Sequence, residues 1–279
     1  MSRVRIGIRL AGQSWRIVRS ERSLLAFPLL SAAFGVGYLV VVIAPLGLVG
    51  YLAFGSNGIL QLVLLFLMLL GMSIGATFFG VATAANASAV FDGRDPTLGD
   101  GIRVARSRFG VIVKWSLVSA TIGAILQTIG DRGGIGGAIV QVVGGAAWAI
   151  ASFFALPILA LEGLGPFDTL KKSIAVVRQK WGESLVGGIA IGFVTGLIAL
   201  GAIGVIVLGV VLGVNATWVG GVPLIAIGAV VLVAAATVGA VLRAVFTVAV
   251  YRYATEGVAL GGFAAEDLDR AFRPKRGRI

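Results

Sequence analysis

Residues 59–91 read ILQLVLLFLMLLGMSIGATFFGVATAANASAVF, thirty-three positions without one charged side chain. As an α-helix rising 1.5 Å per residue, this run measures ~50 Å, against ~30 Å for the hydrocarbon core of a bilayer. It is expected to cross a membrane and to tilt, kink or project beyond it. Its small residues fall in two stripes, Gly71 and Gly75, then Ala76, Gly80, Ala84 and Ser88. Such stripes let neighbouring membrane helices approach closely.

The rest of the chain has the same character. Apolar residues make up 58% of it and charged residues 13%, where a soluble domain carries about a quarter charged. The mean hydropathy is +1.02. Spans are expected at 24–54, 59–91, 111–130, 135–161, 184–213 and 222–253, with Pro28 and Pro45 near the ends of the first and Pro157 near the end of the fourth. The first run is roughly twice the 7–15 apolar residues of a cleaved signal peptide, so it reads as a retained span. In the fifth, Gly188, Gly192 and Gly196 stand four apart on one face, a further close-packing stripe. The expected fold is all-α, a polytopic integral membrane bundle of six transmembrane helices.

Charge orients it. Of 23 basic residues, Arg132 alone falls in a loop on one side, Arg243 lies within the sixth apolar run, and the others flank the opposite side. Basic flanks mark the cytoplasmic side and attract anionic headgroups. Both termini and the two long loops are therefore expected inside the cell, in the cytoplasmic membrane. The net charge of +11 is thus a topology signal, and no nucleic-acid partner is expected. Residues 1–23 read as an amphipathic helix on that surface: Arg5, Arg9, Arg16 and Arg19 share one face, Val4, Ile8, Ala11, Trp15 and Val18 another. Residues 256–279 form a basic tail.

The chain holds neither cysteine nor histidine, which removes disulfides, thiolate metal sites and the usual general base. Glu162 with Asp168 has no nucleophile, histidine or metal ligands beside it, and the glycines of 133–137 lack the Lys-Ser/Thr of a phosphate loop. Neither an enzyme nor a cofactor is expected. Asn86-Ala-Ser88 matches a glycosylation pattern, but inside a span.

A threefold echo runs through the polar segments. The second, fourth and sixth spans end Asp92-Gly93, Glu162-Gly163 and Glu256-Gly257, and Pro96 and Pro166 follow the first two at equal distance. Apolar ladders come next, Leu98, Ile102, Ala105, Phe109 and Leu170, Ile174, Val177, Trp181, with Arg106/Arg178, Arg108/Lys180 and Gly110/Gly182 in register. The pattern predicts three pseudo-repeats, each an amphipathic interfacial helix leading into a two-span hairpin, with Pro166 in a helix first turn. A carboxylate at a helix C-terminus opposes the macrodipole. Asp92, Glu162 and Glu256 are therefore expected either to pair with Arg19, Arg106 or Arg178 or to sit hydrated at the interface. Inside the spans, Arg243 is a functional candidate unless it snorkels to the cytoplasmic surface, and Gln127 is an intramembrane polar site.

Residues 157–173, with Pro157, Glu162-Gly163, Pro166 and Asp168-Thr-Leu-Lys-Lys-Ser173, resemble uncharacterised prokaryotic six-span families of unknown function. These are related to the membrane domain found beside glycerophosphodiester phosphodiesterases. The resemblance implies a helical membrane bundle and no assigned activity. Two function classes follow from the whole reading. One is a non-enzymatic scaffold or accessory subunit with a protein partner or a second copy of itself. The other is a transporter or channel for a small or lipid-like solute.

Overall fold

The computed structural model describes residues 22–55, 58–179, 184–215 and 218–257. The expected N-terminal amphipathic helix, Arg19 and nearly all of the basic tail lie outside them. Among the described residues all regular structure is helical, and six helices are long and apolar enough to cross a membrane: Ser23–Phe54, Gly58–Phe91, Phe109–Arg132, Gly134–Leu161, Val194–Asn215 and Trp218–Glu256. The chain divides into two compact units, residues 29–179 and residues 1–28 with 180–279.

The first apolar run is not one regular helix. It comprises α1 (Ala26–Tyr38), a π-helical turn (Leu39–Ile43) and α2 (Ala44–Phe54). Pro45 explains the widening, because its ring collides with the carbonyl four residues back and it has no N–H to give. The Ala44 N–H reaches the Leu39 carbonyl instead.

In the first unit, α3 (Gly58–Phe91) packs against α1 through its glycines. A side chain at Gly71 would overlap the Tyr38 ring, and one at Gly75 the Phe34 ring. The Tyr38 hydroxyl donates to the Leu67 carbonyl at 2.8 Å. The second stripe works the same way, since Gly80 receives Leu156 while Ala84 and Ser88 are buried. Both stripes read from the sequence are contact surfaces, save at Ala76, which is exposed.

The unit continues with α4 (Leu98–Ser107), α5 (Phe109–Arg132), α6 (Gly134–Ala151), α7 (Ala155–Leu161) and α8 (Pro166–Gln179). Trp115 and Trp148 stack at 5.6 Å between α5 and α6. The expected fourth span is thus broken at 152–154. Pro157 supplies the cause, because it cannot bond to the Phe153 carbonyl. At the break the Phe154 N–H donates to Ser173 Oγ at 3.1 Å, on a side chain of α8 that is 0% exposed.

The second unit is built on the hairpin of α9 (Ser184–Asn215) and α10 (Trp218–Glu256). Its close approach differs from the expected one. Gly196 has nothing near it, and Gly192 faces an Arg243 nitrogen. The backbones meet instead at Gly209, Gly213, Gly221 and Gly228, where a Cβ on Gly221 would lie 2.5 Å from the Gly209 carbonyl oxygen. Helical periodicity gives both faces of α9 a glycine row, and the one nearer the hairpin turn is the one that closes.

Candidate functional site

The polar features of the first unit gather where α3 ends, α4 begins and α7 turns into α8. Each of these junctions is made by a glycine. Gly93 takes φ +74°, Gly163 +65° and, in the other unit, Gly257 +71°. Only glycine adopts this left-handed conformation without strain, so all three acid-Gly pairs end a helix on the same backbone turn, though the hydrogen bonds that close them differ. After α3 the Arg94 N–H returns to the Ala89 carbonyl at 3.0 Å, and after α7 the Gly163 N–H reaches the Ile158 carbonyl at 3.0 Å.

The acids at these ends are all engaged. Asp92 holds Arg94 at 2.7 Å, Glu162 holds Lys172 at 2.5 Å and Glu256 holds Arg252 at 3.0 Å. None of these three partners is among the arginines expected from the sequence. The turn after Asp92 swings the second residue on, Arg94, back beside it, and Arg252 sits one turn before Glu256 on the same helix face. The Glu162 pair joins separate elements, tying the end of α7 to α8. Pairs as solvated as Arg94–Asp92, 68% and 35% exposed, contribute about 0–1 kcal/mol, so they fix loop geometry more than stability.

Two further contacts hold α8 down. The Thr169 hydroxyl donates to the Leu164 carbonyl at 3.1 Å, and Val176 and Val177 are buried beside Ser173. Thr169, Ser173, Val176 and Val177 form one face at helical spacing. The opposite row, Phe167, Asp168, Lys171, Ala175 and Arg178, is exposed.

α4 begins on a capping box. Asp100 N–H donates to Thr97 Oγ1 at 3.3 Å, and the Thr97 N–H donates back to Asp100 at 2.9 Å. The Thr97 hydroxyl, then its N–H, hold the Asp100 carboxyl below the usual carboxylate range, with Arg103 adding to the effect. Asn86, 1% exposed, donates its amide to the Thr97 carbonyl at 2.9 Å and so braces α4 from α3. That commitment also removes Asn86 as a glycosylation acceptor. Between these elements lies an open notch of about 460 Å³ lined by Ala85, Asn86, Arg94, Asp95, Asp100 and Arg103, with Leu161 at one edge. Its four charges are two of each sign and most are paired, which suits a hydrated or zwitterionic group. Among the described residues no three acids assemble as a metal site.

The two intramembrane candidates lie in different units. Gln127 is half-buried on α5, and Arg243, in the other unit, is exposed with a terminal nitrogen 3.4 Å from where a Gly192 Cβ would stand. Two residues that sequence reasoning left in the background prove central here. Lys172 pairs ten positions back, and Arg108 lies over Gly163. The register of Arg108 with Lys180 was a signal, but it carried no contact.

A family model, described as a family of unknown function (DUF6159), matches residues 59–262, most of the chain. The chain belongs to that family. The match begins at α3 and so takes in the whole candidate site of this DUF6159 member. No curated protein and no solved structure matches it.

Proposed function

We propose that this chain is a multi-pass component of the cytoplasmic membrane, with its termini, α4 and α8 facing the cell interior. In that position it acts as a non-enzymatic scaffold or accessory subunit. The carrying observation is α8. It is pinned by the Glu162–Lys172 pair, by Ser173 under Phe154 and by a buried apolar face, while it turns Phe167, Lys171, Ala175 and Arg178 outward. A helix already ordered before contact loses little entropy on binding a partner. The common left-handed glycine at 93, 163 and 257 supports three hairpin units of shared origin. The likeness of residues 157–173 to the membrane domain beside glycerophosphodiester phosphodiesterases belongs to the same reading, in which membrane and catalytic parts are separate. The second reading, a carrier for a small or lipid-like solute, is favoured by the notch reaching Asn86 and Ser88 on α3.

Orientation is open to a direct check, because the chain has no cysteine to interfere. A single cysteine at Lys171 is expected to react with a membrane-impermeant maleimide only after cells are opened, and one at Asp131 in intact cells. The reverse pattern would refute the orientation. For function, the tagged chain is extracted with its native lipids and weighed intact. Wild type is expected to carry a protein in fixed stoichiometry, which the folded Lys171→Glu, Arg178→Glu variant loses. A chain that travels alone and moves a solute when reconstituted in liposomes would establish the carrier instead.

A further inference from the structure

Arg108 stands between α4 and α5, and its guanidinium is positioned by packing rather than by an ion pair. A Cβ on Gly163 would lie 2.6 Å from Cζ and 2.9 Å from Nε, so the group rests on the bare backbone of the left-handed turn. Nε is buried and has no hydrogen-bond acceptor among the described residues. The neighbouring carboxylate, Glu162, is engaged by Lys172. No described carboxylate forms an ion pair with Arg108.

A guanidinium partly withdrawn from water without a counter-charge is costly, and a buried donor without an acceptor adds to the cost. An anion arriving from outside relieves the first. Because Nε is covered, the terminal nitrogens are the groups able to meet it. Glycine at 163 matters twice, since it permits the positive φ and leaves the space the guanidinium occupies. Arginine is suited to phosphate by its planar fork of donors.

We propose that Arg108, seated on the Gly163 turn, binds a phosphate oxyanion. The oxyanion comes from an anionic phospholipid headgroup or from free phosphate. Only the lipid source rests on the membrane reading above; the oxyanion site stands on Arg108 and Gly163 alone.

The test uses the full chain in a neutral detergent, with thermal unfolding followed against added phosphatidylglycerol, phosphatidylcholine or inorganic phosphate. Wild type is expected to be stabilised saturably. Arg108→Gln should raise the half-saturating concentration about tenfold or more, the scale of a charge-assisted hydrogen bond. Arg108→Lys, which keeps the charge and loses the fork, should fall between, and it carries the test should Arg108→Gln not fold. Lys114→Gln, an exposed cation further along α5, should bind as wild type. Stabilisation by phosphatidylglycerol alone names a lipid headgroup, and an equal response to inorganic phosphate names a free oxyanion. The proposal is overturned if no phosphate compound stabilises wild type, if both Arg108 variants bind unchanged, or if Lys114→Gln weakens binding as much as Arg108→Gln.

Discussion

Gly221→Val is expected to cost the α9–α10 hairpin about 3 kcal/mol, at the upper end of what overpacking does. The atoms a new side chain would meet are the Gly209 carbonyl oxygen at 2.5 Å and the Gly213 N and Cα at 2.9 Å. All are backbone. A side chain can rotate out of the way, but a helix can only move as a whole, and here it would drag Gly209, itself 2.9 Å from Ile225 N by the same measure, out of register. The comparison is Gly196→Val on the facing helix α9, where nothing stands within 4 Å and the change should stay within about 0.5 kcal/mol. Unfolding of the full chain in detergent measures both. Equal losses at 196 and 221 would mean that the close approach is not where the backbone contacts place it.

Ser173→Ala should cost about 0.5–1.5 kcal/mol, the net contribution of a buried hydrogen bond. Its hydroxyl accepts from the Phe154 N–H at the break in the fourth span. The matched control is Ser152→Ala. Ser152 Oγ donates to the Trp148 carbonyl at 2.7 Å, but the same carbonyl also receives the Ser152 N–H at 2.9 Å, so nothing is orphaned by the change. A loss well under 1 kcal/mol is expected there. Hydrogen exchange adds a local readout, with the amides of 154 and 155 losing protection in Ser173→Ala alone. If both serines behave alike, α8 does not support the break.

The spans were legible because a charge-free run of thirty residues admits few interpretations, and six helices long and apolar enough to cross a membrane are found among the described residues. The acid-Gly ends were legible for a related reason, since helix termination is a local matter of one φ angle. Pro166 does open α8, as its fixed φ predicts. What the chain did not disclose was anything depending on which faces meet. Gly188, Gly192 and Gly196 make as regular a stripe as Gly209 and Gly213, and only the partner helix distinguishes them. Glu162 finds Lys172 because α8 folds back beside the end of α7, a matter of tertiary geometry. The break at 152–154 was foreshadowed by Pro157, but a proline near a span end is usually harmless; here it falls where α8 supplies an acceptor for the Phe154 N–H.

Burial along the two longest helices is lopsided. On α3 the residues from Val81 to Ala89 are almost all covered, with Thr83, Asn86 and Ser88 among them, whereas Ile59, Leu62 and Val63 are bare. On α10 the run from Val245 to Tyr251 is covered, and Val219, Val222 and Val230 are bare. Thirty-four and thirty-nine residues are ~50–60 Å of helix against ~30 Å of hydrocarbon. Within each helix, then, the greasy length works as a stem and the interlocked length as a head. A thinner or thicker bilayer would slide along the stems, changing how much oil they touch, while leaving the heads, and whatever they hold, intact.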